Sequence, residues 1–124
     1  MGTTGEWTKV CALDDLPGQR GVTALVHGQA IALFRTEDGV VYALGNHDPF
    51  SKESVLAKGI VGMRDGVPFV ASTRNRHAFD LRTGRCLDDE GARVPAYDVK
   101  VVDGFVHVGP RSARDREAQR DRGR

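Results

Sequence analysis

The chain has 124 residues and a formal net charge of +1, which fits one domain with a single modest core. The near-neutral charge gives no basis for nucleic acid or a membrane surface as the principal partner. No apolar run approaches the roughly 18 residues of a membrane-spanning helix. Residues 1–6 also lack the basic and apolar segments of a secretory signal, so a cytoplasmic location is predicted.

The first part of the chain reads as short strands separated by turns. After six small or polar residues, 1–6, which are predicted to be a flexible N-terminus, the predicted strands are residues 7–12, 22–26 and 30–35. Pro17 and Gly18 follow the first strand and exclude a continuing helix. Gly28 lies between the next two strands and can supply the positive φ that a short hairpin needs.

Three Asp-Gly pairs lie between apolar runs and predict β-hairpins. They are Asp38-Gly39, Asp65-Gly66 and Asp103-Gly104. The strands that they join are predicted at 30–35 with 40–44, 60–63 with 67–71, and 96–102 with 105–108. No stretch has a helical period, and residues 52–58 have room for a single turn only. The prediction is an all-β fold of small antiparallel sheets with two long loops, 45–58 and 72–78, and such loops are usually functional.

Two further features concern cysteine and the C-terminal segment. Cys11 and Cys86 are far apart and show no metal-ligand spacing, so they are predicted to be reduced thiols packed as small hydrophobic groups. From residue 111 onward the chain is rich in arginine and has no aromatic or branched aliphatic residue. Residues 110–124 are therefore predicted to be a polar, disordered tail.

The stretch from Ser72 to Leu87 carries the most specific signal. It reads Ser-Thr-Arg-Asn-Arg-His-Ala-Phe-Asp-Leu-Arg-Thr-Gly-Arg-Cys-Leu, and Thr83-Gly84 is predicted to turn a tight hairpin that begins at Phe79. It resembles the closing hairpin of Rieske-type [2Fe–2S] domains, in which Phe-Asp-x-x-Thr-Gly follows the second metal-binding loop. The resemblance implies a Rieske-like domain over residues 7–109.

The metal ligands of that family are missing. Its loops carry Cys-x-His and Cys-x-x-His, and the positions that correspond to these ligands here are Asp48, Phe50, Ser72 and Asn75. A Rieske cluster needs two thiolates on one iron and two imidazoles on the other. Carboxylate, hydroxyl and amide groups match iron–sulfur chemistry poorly, and a phenyl ring cannot coordinate. We therefore predict that this chain holds no cofactor and no metal.

Several motifs in one order make the resemblance more specific. They are Asn46-x-Asp48-Pro49-Phe50-Ser51, Val55-Leu56, Gly59-Ile60-Val61-Gly62, Ala71-Ser72 and Phe79-Asp80-Leu81-Arg82-Thr83-Gly84. Together they resemble the small subunit of assimilatory NAD(P)H-dependent nitrite reductase, a Rieske-like family that has lost the cluster. The resemblance implies a non-catalytic cytoplasmic subunit in nitrate assimilation. Its partner would be a large subunit that carries FAD, an iron–sulfur cluster and sirohaem and reduces nitrite to ammonium.

The resemblance also implies where that partner binds. In cluster-bearing domains the tips of the two ligand loops are the docking end, because electrons leave there. The residues predicted to bind the partner are Phe50, Arg74, Arg76 and His77, an aromatic ring with a basic rim. Aromatic residues and arginine are the types that most often dominate interfaces.

Three alternatives remain open from the sequence. The chain could be a Rieske-type ferredoxin for an oxygenase, or a stand-alone regulatory module that binds through its basic tail. The third is another metal centre in the loops, built from His47, Asp48, Asn75 and His77. Adjacent His47 and Asp48 would point to opposite faces of an extended segment. As a structural residue, Asp48 before Pro49 would instead accept backbone N–H bonds and hold the loops together without metal.

Overall fold

The computed structural model describes residues 7–18 and 20–111. These residues form eleven strands: β1 Thr8–Ala12, β2 Gly21–Val26, β3 Gln29–Arg35, β4 Val41–Gly45, β5 His47–Asp48, β6 Glu53–Ser54, β7 Ile60–Arg64, β8 Val67–Ala71, β9 Ala78–Asp80, β10 Ala96–Val102 and β11 Phe105–Arg111. Within this part of the chain the only helical elements are single 3₁₀ turns at Leu13–Asp15 and Leu56–Lys58. No helix in the described ranges is long and apolar enough to cross a membrane. The predicted all-β fold is confirmed.

The strands form three antiparallel sheets. The largest has six strands in the order β1-β11-β10-β4-β3-β2, a second has the order β7-β8-β9, and β5 pairs with β6 alone. Strand β3 lies between two hydrophobic clusters, since Ile31 and Leu33 pack into one, whereas Ala32 and Phe34 pack into the other. Because both of its faces are covered, β3 is continuously apolar instead of alternating.

The cluster that contains Ala32 and Phe34 lies between the large sheet and the β7-β8-β9 sheet and supports the two long loops. Its largest fully buried members are Phe34, Leu44, Leu56, Val70, Phe79 and Leu81. Burying each such side chain stabilises the fold by about 1.5–3 kcal/mol. This core fixes the ends of β4, β8 and β9, which are the points where loops 45–58 and 72–78 begin and end.

The predicted turns form as expected, although they are not all of one type. Asp65-Gly66 and Asp103-Gly104 have positive φ at both residues, the geometry of a two-residue hairpin turn. His27-Gly28 has the same geometry, which the glycine alone indicated. At Asp38-Gly39 only the glycine has positive φ. This turn has three residues instead of two, because the bond that closes it runs from Thr36 N–H to Val40 O.

The hairpin at Thr83-Gly84 depends on its glycine. Gly84 has a φ of +82°, and a Cβ at this position would collide with the carbonyl oxygen of Val94. The predicted return strand after it is reduced to a single bridge between Phe79 and Cys86. Asp80 closes the turn, because its carbonyl accepts Gly84 N–H at 2.7 Å. Its carboxylate also accepts two bonds from the guanidinium of Arg82 at 3.1 and 3.0 Å.

Some predicted boundaries were wrong. Loop 45–58 is not free of secondary structure, since it contains β5, β6 and a 3₁₀ turn at Leu56–Lys58, which lies within the residues predicted to have room for one turn. The last strand was predicted to end at 108 but runs to Arg111, where it pairs with Tyr97. The predicted N-terminus 1–6 and the rest of the tail lie outside the described residues.

Candidate functional site

The two long loops meet at a buried carboxylate. Asp48 has 0% exposure, and its Oδ2 accepts hydrogen bonds from Ser72 Oγ at 2.8 Å, Asn75 Nδ2 at 3.0 Å and Ser51 Oγ at 3.0 Å. Its Oδ1 accepts the backbone N–H of Phe50 at 2.9 Å. Asp48 therefore bonds directly to two of the other three predicted ligand positions, Ser72 and Asn75. We call Asp48, Ser51, Ser72 and Asn75 the carboxylate hub.

Local sequence explains why the first loop delivers this carboxylate. The bond from Asp48 to the N–H of Phe50 is the side-chain turn that an aspartate before Pro49 favours. The carbonyl of Asp48 accepts Lys52 N–H at 2.8 Å and closes the loop behind it. Buried Asn46 then anchors the loop, since its Oδ1 accepts Ala57 N–H at 2.7 Å.

The second loop is folded around Ser72 and Asn75. The carbonyl of Ser72 accepts Arg76 N–H at 2.8 Å, and its hydroxyl oxygen accepts Arg74 N–H at 3.2 Å. Arg76 takes a φ of +65°, an uncommon conformation for a residue other than glycine. These bonds turn the side chains of Ser72 and Asn75 toward Asp48.

The electrostatics of the hub favour a charged Asp48. Burial is the largest single influence and raises the pKa of this carboxyl, but the hydrogen bonds from Phe50, Ser72, Ser51 and Asn75 together outweigh it and leave the pKa of Asp48 lowered. Hydrogen bonds to the ionised form stabilise that form selectively. At neutral pH the hub therefore contains a carboxylate that accepts from donors on both loops.

An aromatic stack lies beside the hub. The rings of Phe50 and His77 are stacked with centroids 3.8 Å apart and planes 12° apart, and the Phe50 ring lies 6.3 Å from that of Phe79. Asn75 links the stack to the hub, because its Oδ1 lies 3.1 Å from His77 N and 3.0 Å from His77 Nδ1. With the Asn75 amide nitrogen donating to Asp48, this oxygen accepts, which assigns the proton of the imidazole to Nδ1.

The two predicted basic residues differ in their surroundings. Arg74 Nε pairs with Glu53 Oε1 at 2.8 Å across the two loops, although both side chains remain largely exposed. An exposed pair of this kind contributes only about 0–1 kcal/mol. Arg76 is exposed and makes no ion pair within residues 7–18 and 20–111. Arg76, Arg74, His77 and the half-buried Phe50 together form what we call the loop tip.

The residues present do not fit a Rieske cluster. The hub offers hard oxygen and amide groups that already bond to one another, and the position of Phe50 has no donor atom. The thiols are elsewhere, since Cys86 is buried in the core and Cys11 packs against the opposite cluster. Both are free thiols, as predicted, and burial raises the pKa of each.

The alternative metal site also lacks support from the geometry. His47 is exposed while its neighbour Asp48 is buried, so the two side chains lie on opposite sides of β5, as the extended segment predicted. No group of three or more His, Cys, Asp or Glu side chains in the described part of the chain is arranged to hold a metal ion.

Proteins of known family show the class to which this chain belongs. Residues 6–109 match the Rieske-like [2Fe-2S] domain family, and the chain belongs to it. The Salmonella typhimurium nitrite reductase (NADH) small subunit is 38% identical over 104 residues, which cover 83% of this chain and 96% of that protein. The chain is thus a member of the family of nitrite reductase (NADH) small subunits.

Two further relatives bear on the structure and the partner. The crystal structure of a Mycobacterium tuberculosis protein assigned as an NADH-dependent nitrite reductase small subunit is 43% identical, with a TM-score of 0.83, and the match covers 88% of this chain and 98% of that one. The Klebsiella oxytoca nitrite reductase NAD(P)H large subunit is 42% identical over 103 residues, covering 83% of this chain and 11% of that protein.

Sequence reasoning missed several members of the site. Ser51 was named only within a family motif and Glu53 was not named, yet Ser51 donates to Asp48 and Glu53 pairs with Arg74. A hydroxyl three residues after the aspartate of an Asp-Pro turn is a local signal that would have found Ser51. Glu53 has no such signal, because its partner lies in the other loop.

Proposed function

We propose that the chain is a non-catalytic subunit that binds the large subunit of a cytoplasmic NAD(P)H-dependent nitrite reductase. The observation that carries this proposal is the Klebsiella oxytoca large subunit, which contains a segment 42% identical to this chain. A domain that occurs inside the large chain in one organism and as a separate chain in another is expected to keep its contact. What is an intramolecular contact in one case becomes a subunit interface in the other.

The loop tip is the proposed contact face, and its construction supports that role. The hub holds both loops by bonds to one buried carboxylate, which restricts the tip before a partner arrives. A preorganised surface loses less conformational entropy on binding. The tip presents an arginine without an ion pair in the described chain, beside a stacked aromatic pair. Such groups are typical centres of binding energy.

The proposal assigns redox chemistry to the partner. FAD, an iron–sulfur cluster and sirohaem are expected on the large subunit, which reduces nitrite to ammonium. In this chain the positions of Asp48, Phe50, Ser72 and Asn75 are taken to be those of the former cluster ligands. The hub then replaces the cluster as the link between the two loops.

The purified chain is expected to contain no iron and to have no visible absorbance, because no soft ligand set lies at the loop tip. The measurement is iron and sulfide analysis of protein produced with iron supplied, together with an EPR spectrum after reduction. Stoichiometric iron with a rhombic signal would contradict the proposal and favour the ferredoxin alternative.

Replacing both Arg74 and Arg76 by alanine is expected to weaken binding to the large subunit by about 1–4 kcal/mol. Arg76→Ala alone should account for most of the loss, because Arg74 already pairs with Glu53. The measurement is a titration of the large subunit with each variant, alongside a melting curve. Arg20→Ala is the matched control, an exposed arginine outside both loops. Unchanged affinity in the double variant would place the contact elsewhere.

A further inference from the structure

Strand β7 has a free edge. It is the outer strand of the β7-β8-β9 sheet, and its other side has no neighbouring strand among the described residues. Arg64 lies opposite Val67 across the two-residue turn, so this pair closes the hairpin with hydrogen bonds. Because bonded and non-bonded pairs alternate in an antiparallel ladder, Val61 and Met63 direct their N–H and C=O groups away from β8.

Pro68 gives an independent check on this assignment. It lies opposite Met63 and has no N–H to donate. Its carbonyl accepts Leu81 N–H at 2.9 Å, on the other side of β8. The backbone groups of Met63 therefore receive nothing from β8, and neither Met63 nor Val61 hydrogen-bonds any other residue in the described part of the chain.

Large apolar side chains flank this edge. Ile60 is 64% exposed and Met63 is 62% exposed, and they lie on opposite faces of the strand because side chains alternate along it. Edge strands are ordinarily protected by charges, prolines or bulges. The nearest charge on β7, Arg64, is paired with Asp88 at 3.1 Å. An unprotected edge with apolar groups on both faces is typical of a surface that another chain covers.

A groove runs beside the edge. It has a volume of about 340 Å³ and is lined by Thr36, Glu37, Asp38, Val61, Gly62 and Met63, and we call it the edge groove. The turn between β3 and β4 forms its far wall and contributes two exposed acidic residues. Asp38 accepts hydrogen bonds from the hydroxyl of Thr36 and from Val40 N–H, which lower the pKa of its carboxyl. The groove thus combines an apolar floor with a negative wall.

We infer that the free edge of β7 binds an extended segment of the large subunit. The segment adds to the three-stranded sheet as a further strand, with an apolar side chain in the edge groove and a lysine or arginine beside Glu37 and Asp38. Main-chain bonds supply affinity in this mode of recognition, and the pockets for alternate side chains supply specificity. This inference rests on the proposed function for the identity of the partner and adds a second contact to the loop tip.

The edge offers an unusually selective variant. Met63→Pro removes one outward N–H while leaving every β7–β8 hydrogen bond in place, because those bonds belong to the neighbouring residues. Met63→Leu keeps the N–H and is the matched control. Affinity for the intact large subunit should fall on the order of tenfold in Met63→Pro, the loss expected for about one hydrogen bond, and should stay near the parent value in Met63→Leu.

Charge complementarity is tested separately by Glu37→Lys. The side chain of Glu37 is exposed, so its reversal leaves the fold intact. Binding to the large subunit should weaken, and the loss should diminish at high salt because screening reduces repulsion between exposed charges. Equal binding by Met63→Pro and Met63→Leu, or a gain in affinity for Glu37→Lys, would overturn the inference.

A measurement on the unmodified chain makes the test independent of how the variants fold. Hydrogen exchange at the amides of Val61 and Met63 should be fast in the free chain and slow in the complex, and unchanged exchange on binding would contradict the inference. Slow exchange without partner, in a chain that is dimeric in solution, would instead identify a second copy as the occupant and also overturn it. If the parent chain did not bind the large subunit at all, the proposed function itself would be wrong. That result differs from binding without a contact at the β7 edge, so the proposed function and the inference are tested separately.

Discussion

Replacing Asp48 by alanine should lower the free energy of unfolding by about 2–4 kcal/mol. The substitution leaves Ser72 Oγ, Asn75 Nδ2 and Phe50 N–H without their acceptor, and the Ser72 hydroxyl is buried. Hydrogen bonds to a charged group contribute about 1.5–3 kcal/mol each, and part of the loss is recovered because a buried charge is removed. Urea unfolding followed by the fluorescence of Trp7, the single tryptophan, measures the difference.

Ser51→Ala is the matched control for this variant. It removes one half-buried donor to the same carboxylate but leaves the bonds between the loops, so it should cost about 1.5 kcal/mol, the lower end of that range. If Asp48→Ala cost no more than Ser51→Ala, the hub would not be the link between the loops.

The stability that Asp48→Ala loses should also depend on pH and should be smaller in acid. The pKa of Asp48 is lowered in the folded chain, so its carboxylate stabilises the fold above the unfolded pKa of about 4. That contribution is lost as the pH falls through the folded value. Parent and variant should therefore begin to converge in stability below about pH 4 and come closest below the folded value, and a difference that grew in acid would contradict this account.

Phe79→Ala should destabilise the chain by about 3–5 kcal/mol. Phe79 is fully buried among the residues that lie under both loops, and its removal leaves a cavity that the surrounding strands cannot close. The ring also supports Phe50, whose centroid is 6.3 Å away. The variant should therefore bind the large subunit less tightly even at temperatures where it stays folded. Urea unfolding and titration with the large subunit measure the two effects.

Phe105→Ala is the matched control, because it makes the same substitution at a partly exposed position. The ring of Phe105 is 40% exposed, at the turn between β10 and β11, and contacts Lys9 through its face. We expect a loss of about 1 kcal/mol or less. If the two substitutions lowered the free energy of unfolding by similar amounts, the burial of Phe79 would not be what supports the loops.

The sequence by itself determined the local features of this chain. An Asp-Gly pair between apolar runs specifies its turn through the backbone freedom of glycine, and the hairpins at Asp65-Gly66 and Asp103-Gly104 formed where they were predicted. Asp48 before Pro49 specified the side-chain turn in the same way. The family could also be identified, because its motifs are short stretches that keep their spacing.

Only the tertiary structure decided which polar residues of the two loops bond to one another. Asp48 meets Ser72 and Asn75 across separations of 24 and 27 residues, and no local pattern specifies which polar groups two distant loops will share. Strands β5 and β6 have two residues each, too few for an alternating pattern to be read. The free edge of β7 likewise depends on the strand order, because an edge is defined by the absence of a neighbour, which the residues of a strand do not encode.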